Sequence, residues 1–98
     1  MNQYDYTQLD DVIHARIRLA IMSVLITVEE AEFTFLREKV NTTDGNLSIH
    51  LKKLEEAGYI YVNKRFVERK PQSSYRISEK GRIAFEKYIS TLEQLLKG

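Results

Sequence analysis

The stretch TTDGNLSIHLKKLEEAGYI, residues 42–60, constrains the fold more than any other part of the chain. Thr43 is placed to cap a helix. Gly58 is placed to end it, in the left-handed conformation that glycine adopts at little cost, with Tyr59 and Ile60 folding back over the stop. At roughly 100° per residue, Leu47, Leu51 and Leu54 fall within about 60° of one another, so one side of this helix demands cover from other elements. Gly45, Ile49, Lys52 and Glu56 lie on the opposite side, with Asn46, Ser48 and Lys53 at its edges. The first side dictates a core, and the second poses the question of function.

The elements that could cover the leucines are legible on both flanks. Asp10 or Asp11 can cap a first helix in which Val12, Ile13, Ile17, Ala20, Ile21, Val24 and Leu25 recur at helical spacing, running to about Ile26. After the acidic TVEEAE, the Phe33 region reads as a brief strand, and Thr34 as the cap of a short helix carrying Phe35, Leu36 and Val40 that Asn41 and Thr42 break. Beyond Gly58, YIYVNKRF alternates, VERKPQSS is turn-like and SYRIS is extended again, which predicts a hairpin. Ser78 then caps a last helix whose Phe85, Tyr88, Ile89, Leu92, Leu95 and Leu96 follow the amphipathic rule to the chain end. The predicted order is helix, short strand, helix, helix, hairpin, helix, with no repeat or linker. The whole of 1–98 reads as one domain.

Composition narrows the chemistry. Ninety-eight residues, 43% of them hydrophobic, make one small domain with a modest core. There is no cysteine, hence no disulfide and no thiolate metal site. His14 and His50 stand apart from any ligand-spaced cluster, and no glycine-rich phosphate loop, nucleophile set or paired-carboxylate pocket is evident. The expectation is a non-enzyme with no metal and no cofactor. No apolar run approaches a membrane span, and MNQYDYTQLDD lacks the layout of a signal peptide, so the chain is expected to be soluble and cytoplasmic.

Charge is local rather than global. Residues 1–42 hold four Lys/Arg against seven Asp/Glu, a net −3, and residues 43–82 hold nine against five, a net +4. Residues 83–98 balance at two against two. Lys64, Arg65, Arg69, Lys70 and Arg76 crowd the hairpin against Glu68 alone, beside the only proline, Pro71. Charges alone would be no more than a solvated hairpin tip. They gain meaning beside a helix able to share a ligand.

This order of elements, with these residues, resembles the winged helix-turn-helix regulators of the MarR and ArsR type, and the resemblance covers nearly the whole chain. It is carried by Asn46 to Ile60, which fits a Leu-Ser-x-His-Leu-x-x-Leu-Glu-x-x-Gly pattern on the recognition helix. It is carried too by Ser74-Tyr75-Arg76-Ile77-Ser78-Glu79-Lys80-Gly81, the strand and Ser-x-x-Gly helix start that follow the wing. The resemblance implies a mostly α fold with a small β-hairpin wing: a three-helix core, the wing, and a C-terminal dimerisation helix at 78–98.

It also implies double-stranded DNA as partner. A helix of this diameter fits the major groove, where Asn46 and Lys52 or Lys53 can meet base edges, Ser48 a phosphate or base, and Ile49 a thymine methyl. Gly45 permits close backbone approach, and the free amides of the helix start favour phosphate. Asp44, which would repel phosphate, is expected to serve the first turn instead. Lys64, Arg65, Arg69, Lys70 and Arg76 would seat the wing on phosphates or in the minor groove. His50 is expected to pack or hydrogen-bond rather than read a base, and Arg16 and Arg18 to form surface ion pairs or phosphate contacts. Tyr88, Ile89, Leu92, Leu95 and Leu96 are the expected homodimer face, with Tyr4 and Tyr6 packing around it. The resulting expectation is a nucleoid-associated regulator, a repressor acting as a homodimer, with any small effector unspecified. The rival is a winged helix used as a protein-binding module, for which a basic wing beside Lys52 and Lys53 has no use.

Overall fold

A computed structural model describes residues 5–97. A 3-10 turn at Tyr6–Gln8 leads to helix α1 (Arg16–Leu25), strand β1 (Ala31–Glu32), helices α2 (Phe33–Val40) and α3 (Asp44–Glu56), strands β2 (Ile60–Val67) and β3 (Lys70–Ile77), and helix α4 (Glu79–Lys97). The three strands form one antiparallel sheet in the order β1-β3-β2. The expected sequence of elements is therefore present, and the fold is the winged helix that the resemblance implied.

The core lies where α1, α2 and α3 meet. Ile21, Met22, Leu25, Leu36, Leu47 and Leu54 are each wholly buried, and Leu51, Ile60 and Ala31 nearly so. Each helix contributes one stripe, and the root of the sheet closes the remaining side with Ile60 and Ile77. Burying residues of this size is worth about 1.5–3 kcal/mol apiece, and this apolar centre is what holds a chain without disulfides together.

The first helix starts later than its apolar periodicity suggests. Asp10 caps a separate turn rather than α1, its Oδ1 accepting from the amides of Val12 at 2.8 Å and Ile13 at 3.1 Å. The backbone is then extended at Ala15, and α1 begins at Arg16 with no side-chain cap. Ile13 is nonetheless fully buried, so its place in the stripe reflects the core and not the helix. An aspartate that bonds the backbone just ahead of it offers an alternative to helical pairing, which is why the ladder breaks here.

Two smaller differences concern α2 and the hairpin. The helix α2 begins at Phe33 after Glu32, so Thr34 lies inside it, and the brief strand falls on Ala31 and Glu32. Asn41, at φ 60°, ends α2 in the left-handed conformation. The hairpin strands run much further than the turn-like composition of residues 67–74 suggests, pairing from Ile60↔Ile77 out to Val67↔Lys70. Only Glu68 and Arg69 form the turn, at φ 52° and 68°, the pattern of a tight two-residue hairpin loop. Pro71 is tolerated within β3 because β1 reaches only Ser74 and Tyr75, leaving one side of β3 unpaired at the proline.

The last helix is clipped to the end of α3. Ser78 Oγ donates to the Gly58 carbonyl at 2.6 Å and accepts from the Gly81 amide at 2.9 Å, while the Ser78 amide donates to the Tyr59 carbonyl at 2.9 Å. From this clip α4 runs 19 residues, about 28 Å at 1.5 Å per residue. Its first half is held: Gly81, Phe85 and Tyr88 are buried. Tyr88 was expected on an outward dimer face, but it is 3% exposed within its own chain, its hydroxyl 2.7 Å from His14 Nδ1. The segment before α1 reaches that far along α4, which moves Tyr88 from interface to core. Leu96, by contrast, is 81% exposed.

Candidate nucleic-acid interface

The turn between α2 and α3 is short because both helices are stopped by local chemistry. Asn41 closes α2, and Thr43 opens α3, its Oγ1 accepting from the Asn46 amide at 3.2 Å as expected of a cap. With Leu47, Leu51 and Leu54 fixed in the core, the rotation of α3 is determined, and Gly45, Asn46, Ser48, Ile49, Lys52 and Lys53 are all exposed. The structure thus brings these six onto open surface. Ile49 is the informative one: an isoleucine left 56% exposed on a helix whose leucines are buried. A Cβ added at Gly45 would meet nothing within 4 Å, so the glycine relieves no internal clash and leaves the backbone open to an approaching ligand.

Asp44 lies in the first turn of α3, where a carboxylate favours the helix dipole. Its charge is also met from outside the helix. Arg37 of α2 donates from Nη1 to Asp44 Oδ1 at 2.8 Å, and that hydrogen bond is the main reason the Arg37 guanidinium is held above its ordinary pKa. Arg37 was not singled out from the sequence. A pair seven residues apart across a turn leaves no periodic signal.

Arg18 proves to be structural. Its Nε donates to the Val12 carbonyl at 2.5 Å and its Nη1 to His50 Nδ1 at 2.9 Å, tying the pre-helical turn to α3. Arginine has no acceptor, so His50 must present an unprotonated Nδ1. Burial, then the charges of Arg18 and Lys53, push the His50 pKa down, consistent with that neutral ring. His50 therefore bonds rather than reads. Arg16 is exposed, as are Tyr6 and the five basic wing residues, whereas Tyr4 lies outside the described residues.

The hairpin does not present its five cations as one cluster. Strand alternation and the register put Lys64 on the face of Phe66 and Pro71, and Arg65, Lys70 and Arg76 on the other, with Arg69 in the turn. Arg65, Arg69 and Lys70 gather near the tip. Arg76 sits at the root, its guanidinium 4.6 Å from the Tyr61 ring centroid in a cation-π contact. Arg76 is thus separated from the tip by most of the length of the ribbon.

Tyr59 links the site to the rest of the chain. Its hydroxyl donates to Asp10 Oδ2, and burial together with that bond raises its pKa to about 12. No group of three or more His, Asp or Glu side chains able to hold a metal occurs among the described residues. No helix among them is long and apolar enough to cross a membrane.

Comparison with known proteins gives the arrangement a context. A winged helix DNA-binding domain profile matches residues 17–96. The chain is 41% identical over 86 residues to an uncharacterized protein of Methanocaldococcus jannaschii, covering 88% of this chain and 94% of that one. Among solved structures it is similar to a transcriptional regulator homologue from Pyrococcus horikoshii, with a TM-score of 0.82, 26% identity, and coverage of 89% and 86%. A MarR-like transcriptional regulator from Thermotoga maritima shares the fold, with a TM-score of 0.59 and 24% identity over 81% of this chain and 55% of that one.

Proposed function

The chain belongs to the winged helix DNA-binding domain family, and from that premise we propose that it is a sequence-specific regulator of transcription that binds double-stranded DNA as a homodimer and acts as a repressor. The observation that carries the reading is the rotation of α3. Its leucines are buried while Asn46, Ser48, Ile49, Lys52 and Lys53 stand open beside a long basic hairpin. In the major groove, Asn46 and the lysines would meet base edges and Ile49 a thymine methyl, while Lys64, Arg65, Arg69 and Lys70 would hold the wing on the backbone. Arg76, at the root, would contact DNA only at the margin of the interface.

The dimer is proposed from α4. Beyond Tyr88 its apolar stripe continues through Ile89, Leu92, Leu95 and Leu96; Ile89 is 38% and Leu96 81% exposed, while Leu95 is half-buried and Leu92 half-buried against the domain's own core. A second copy of the same helix across a two-fold axis would cover this stripe and set two α3 helices about one DNA turn, roughly 34 Å, apart. Repression needs nothing beyond occupancy of such a site, which is why it is the reading adopted. The domain is then 1–98, and dimerisation falls to the part of α4 beyond Tyr88 rather than to the whole of 78–98.

The test is selection of bound sequences from random duplex DNA, followed by transcription in vitro from a promoter carrying the selected site. A palindromic motif and reduced transcript support the proposal. Retention of no duplex above background would instead favour a protein-binding module, and a motif without two-fold symmetry would remove the homodimer.

A further inference from the structure

Phe66 is out of place in a folded chain. It is 76% exposed, near the free end of the hairpin. The ribbon around it is cationic in sequence: Lys64 shares its face, Arg65 and Lys70 stand on the opposite face and Arg69 in the turn, with Glu68 the only acid of the tip. The ribbon that carries it is well defined. Phe66 pairs with Pro71 across the strands, one step from the Val67↔Lys70 pair that closes the two-residue turn. Proline fixes its own backbone, so the position opposite Phe66 is stiff.

The direction of the ring matters as much as its exposure. By alternation Phe66 shares a face of the hairpin with Lys64 and, at the root, with Ile60, Tyr75 and Ile77. Ile60 and Ile77 lie in the same buried cluster as Leu47, Leu51 and Leu54 of α3, with Tyr75 packed against it. The face that carries Phe66 is thus, at its root, the one turned toward α3. The cations of the tip favour a polyanion as the partner of the wing, with Lys64 on the face of Phe66 and Arg65 and Lys70 on the opposite one, and a phenyl ring gains nothing from phosphates. It gains when it meets the flat surface of a base pair.

We propose that Phe66 is an apolar wedge that enters the minor groove beside the half-site and partly unstacks a flexible base step, so that specificity includes the ease of deforming DNA that α3 never touches. This rests on the reading of α3 and the wing as a DNA interface. Pyrimidine–purine steps such as TA open most readily and are the expected point of insertion.

The experiment uses the full chain and a duplex containing the selected site, with 2-aminopurine in place of adenine at a TA step under the expected wing position. Binding is followed by fluorescence anisotropy of an end label, and unstacking by 2-aminopurine emission. Wild type should bind and raise the emission severalfold. Phe66→Ala should abolish the rise while keeping affinity within about tenfold and the salt dependence unchanged, and Phe66→Leu should keep part of it. Because the side chain is exposed, both variants should melt with the wild type, and that is checked by circular dichroism. Wild type that binds tightly without a rise, or Phe66→Ala with an undiminished rise, overturns the wedge and leaves the DNA-binding reading intact. Failure of wild type to bind any duplex overturns both. Phe66-dependent flotation with anionic vesicles, in place of the emission change, would likewise overturn the wedge.

Discussion

Gly81→Ala sets two effects of opposite sign against each other at the junction of wing and α4. Alanine is favoured over glycine in a helix by about 1 kcal/mol, so propensity alone predicts a more stable protein. The structure predicts the reverse. A Cβ at position 81 would lie 2.1 Å from the Tyr59 carbonyl oxygen, 2.8 Å from its carbonyl carbon and 3.0 Å from its Cα. These are backbone atoms, and they are held: the Tyr59 amide donates to Leu54 O at 3.0 Å and the Tyr59 carbonyl accepts from Ser78. Restoring contact distance requires α4 to retreat by about 1 Å, an overpacking cost of roughly 1–3 kcal/mol. That retreat strains the Ser78 clip, whose hydrogen bonds are worth about 0.5–1.5 kcal/mol each. With one such bond lost and the propensity gain subtracted, a net loss of about 0.5–3.5 kcal/mol remains, against the roughly 5–15 kcal/mol typical of a domain. Urea unfolding followed by circular dichroism measures it, with exposed Ser90→Ala on the same helix as a control expected to be neutral or slightly stabilising. Gly81→Ala as stable as wild type would refute the argument that this glycine exists for close approach.

Three further outcomes follow from the geometry. Arg69→Ala with Lys70→Ala should weaken binding to all duplexes and flatten the slope of log affinity against log salt by about 1.8, measured by anisotropy titration across salt concentrations. Leu92→Glu with Leu96→Glu should give a folded monomer by light scattering; a mutant that remains a folded dimer sinks the α4 interface. The His50 pKa is depressed in the folded chain, so the unfolded chain takes up the proton first as pH falls below about 6.5, and stability should decline with acidification through that window. Unfolding curves between pH 7 and 5.5 should show that decline reduced in His50→Gln, whose amide oxygen can still accept from Arg18.

What the sequence makes legible is what local chemistry decides. The helix α3 is readable because Thr43, the leucine spacing and Gly58 each act within a few residues, and the face opposite the leucines follows by geometry. The wing ribbon is harder to read, since Glu68 and Arg69 adopt left-handed backbone without the glycine or asparagine that marks a tight turn, and β3 is polar with a proline inside it. The start of α1 is obscured because Ile13 is buried without being helical. Arg37 with Asp44, and Arg18 with His50, are pairings across elements, and composition counts such charges without saying which are already satisfied. Tyr88 shows the same limit. One stripe serves both the domain's core and the uncovered end of α4, and the boundary is set by how far the segment before α1 reaches along it.

Those long-range contacts converge on two residues. Gly58, at φ 80°, ends α3, and its carbonyl accepts from Ser78 at 2.6 Å. Tyr59 bonds back to Leu54 through its amide, onward to Ser78 through its carbonyl, and to Asp10 through its hydroxyl, while Gly81 lies against its backbone. The end of α3, the root of the wing, the start of α4 and the segment before α1 are therefore fixed to a single short piece of chain. Each bond alone is modest, but they constrain the same few atoms, so α4 cannot tilt without moving the end of α3. In the proposed dimer the two-fold axis would lie along the distal half of α4, and the distance between the two α3 helices would be transmitted through this junction. The Ser-x-x-Gly signature at residues 78–81 then has a physical purpose beyond starting a helix: serine supplies the clip, and glycine the room for it to close.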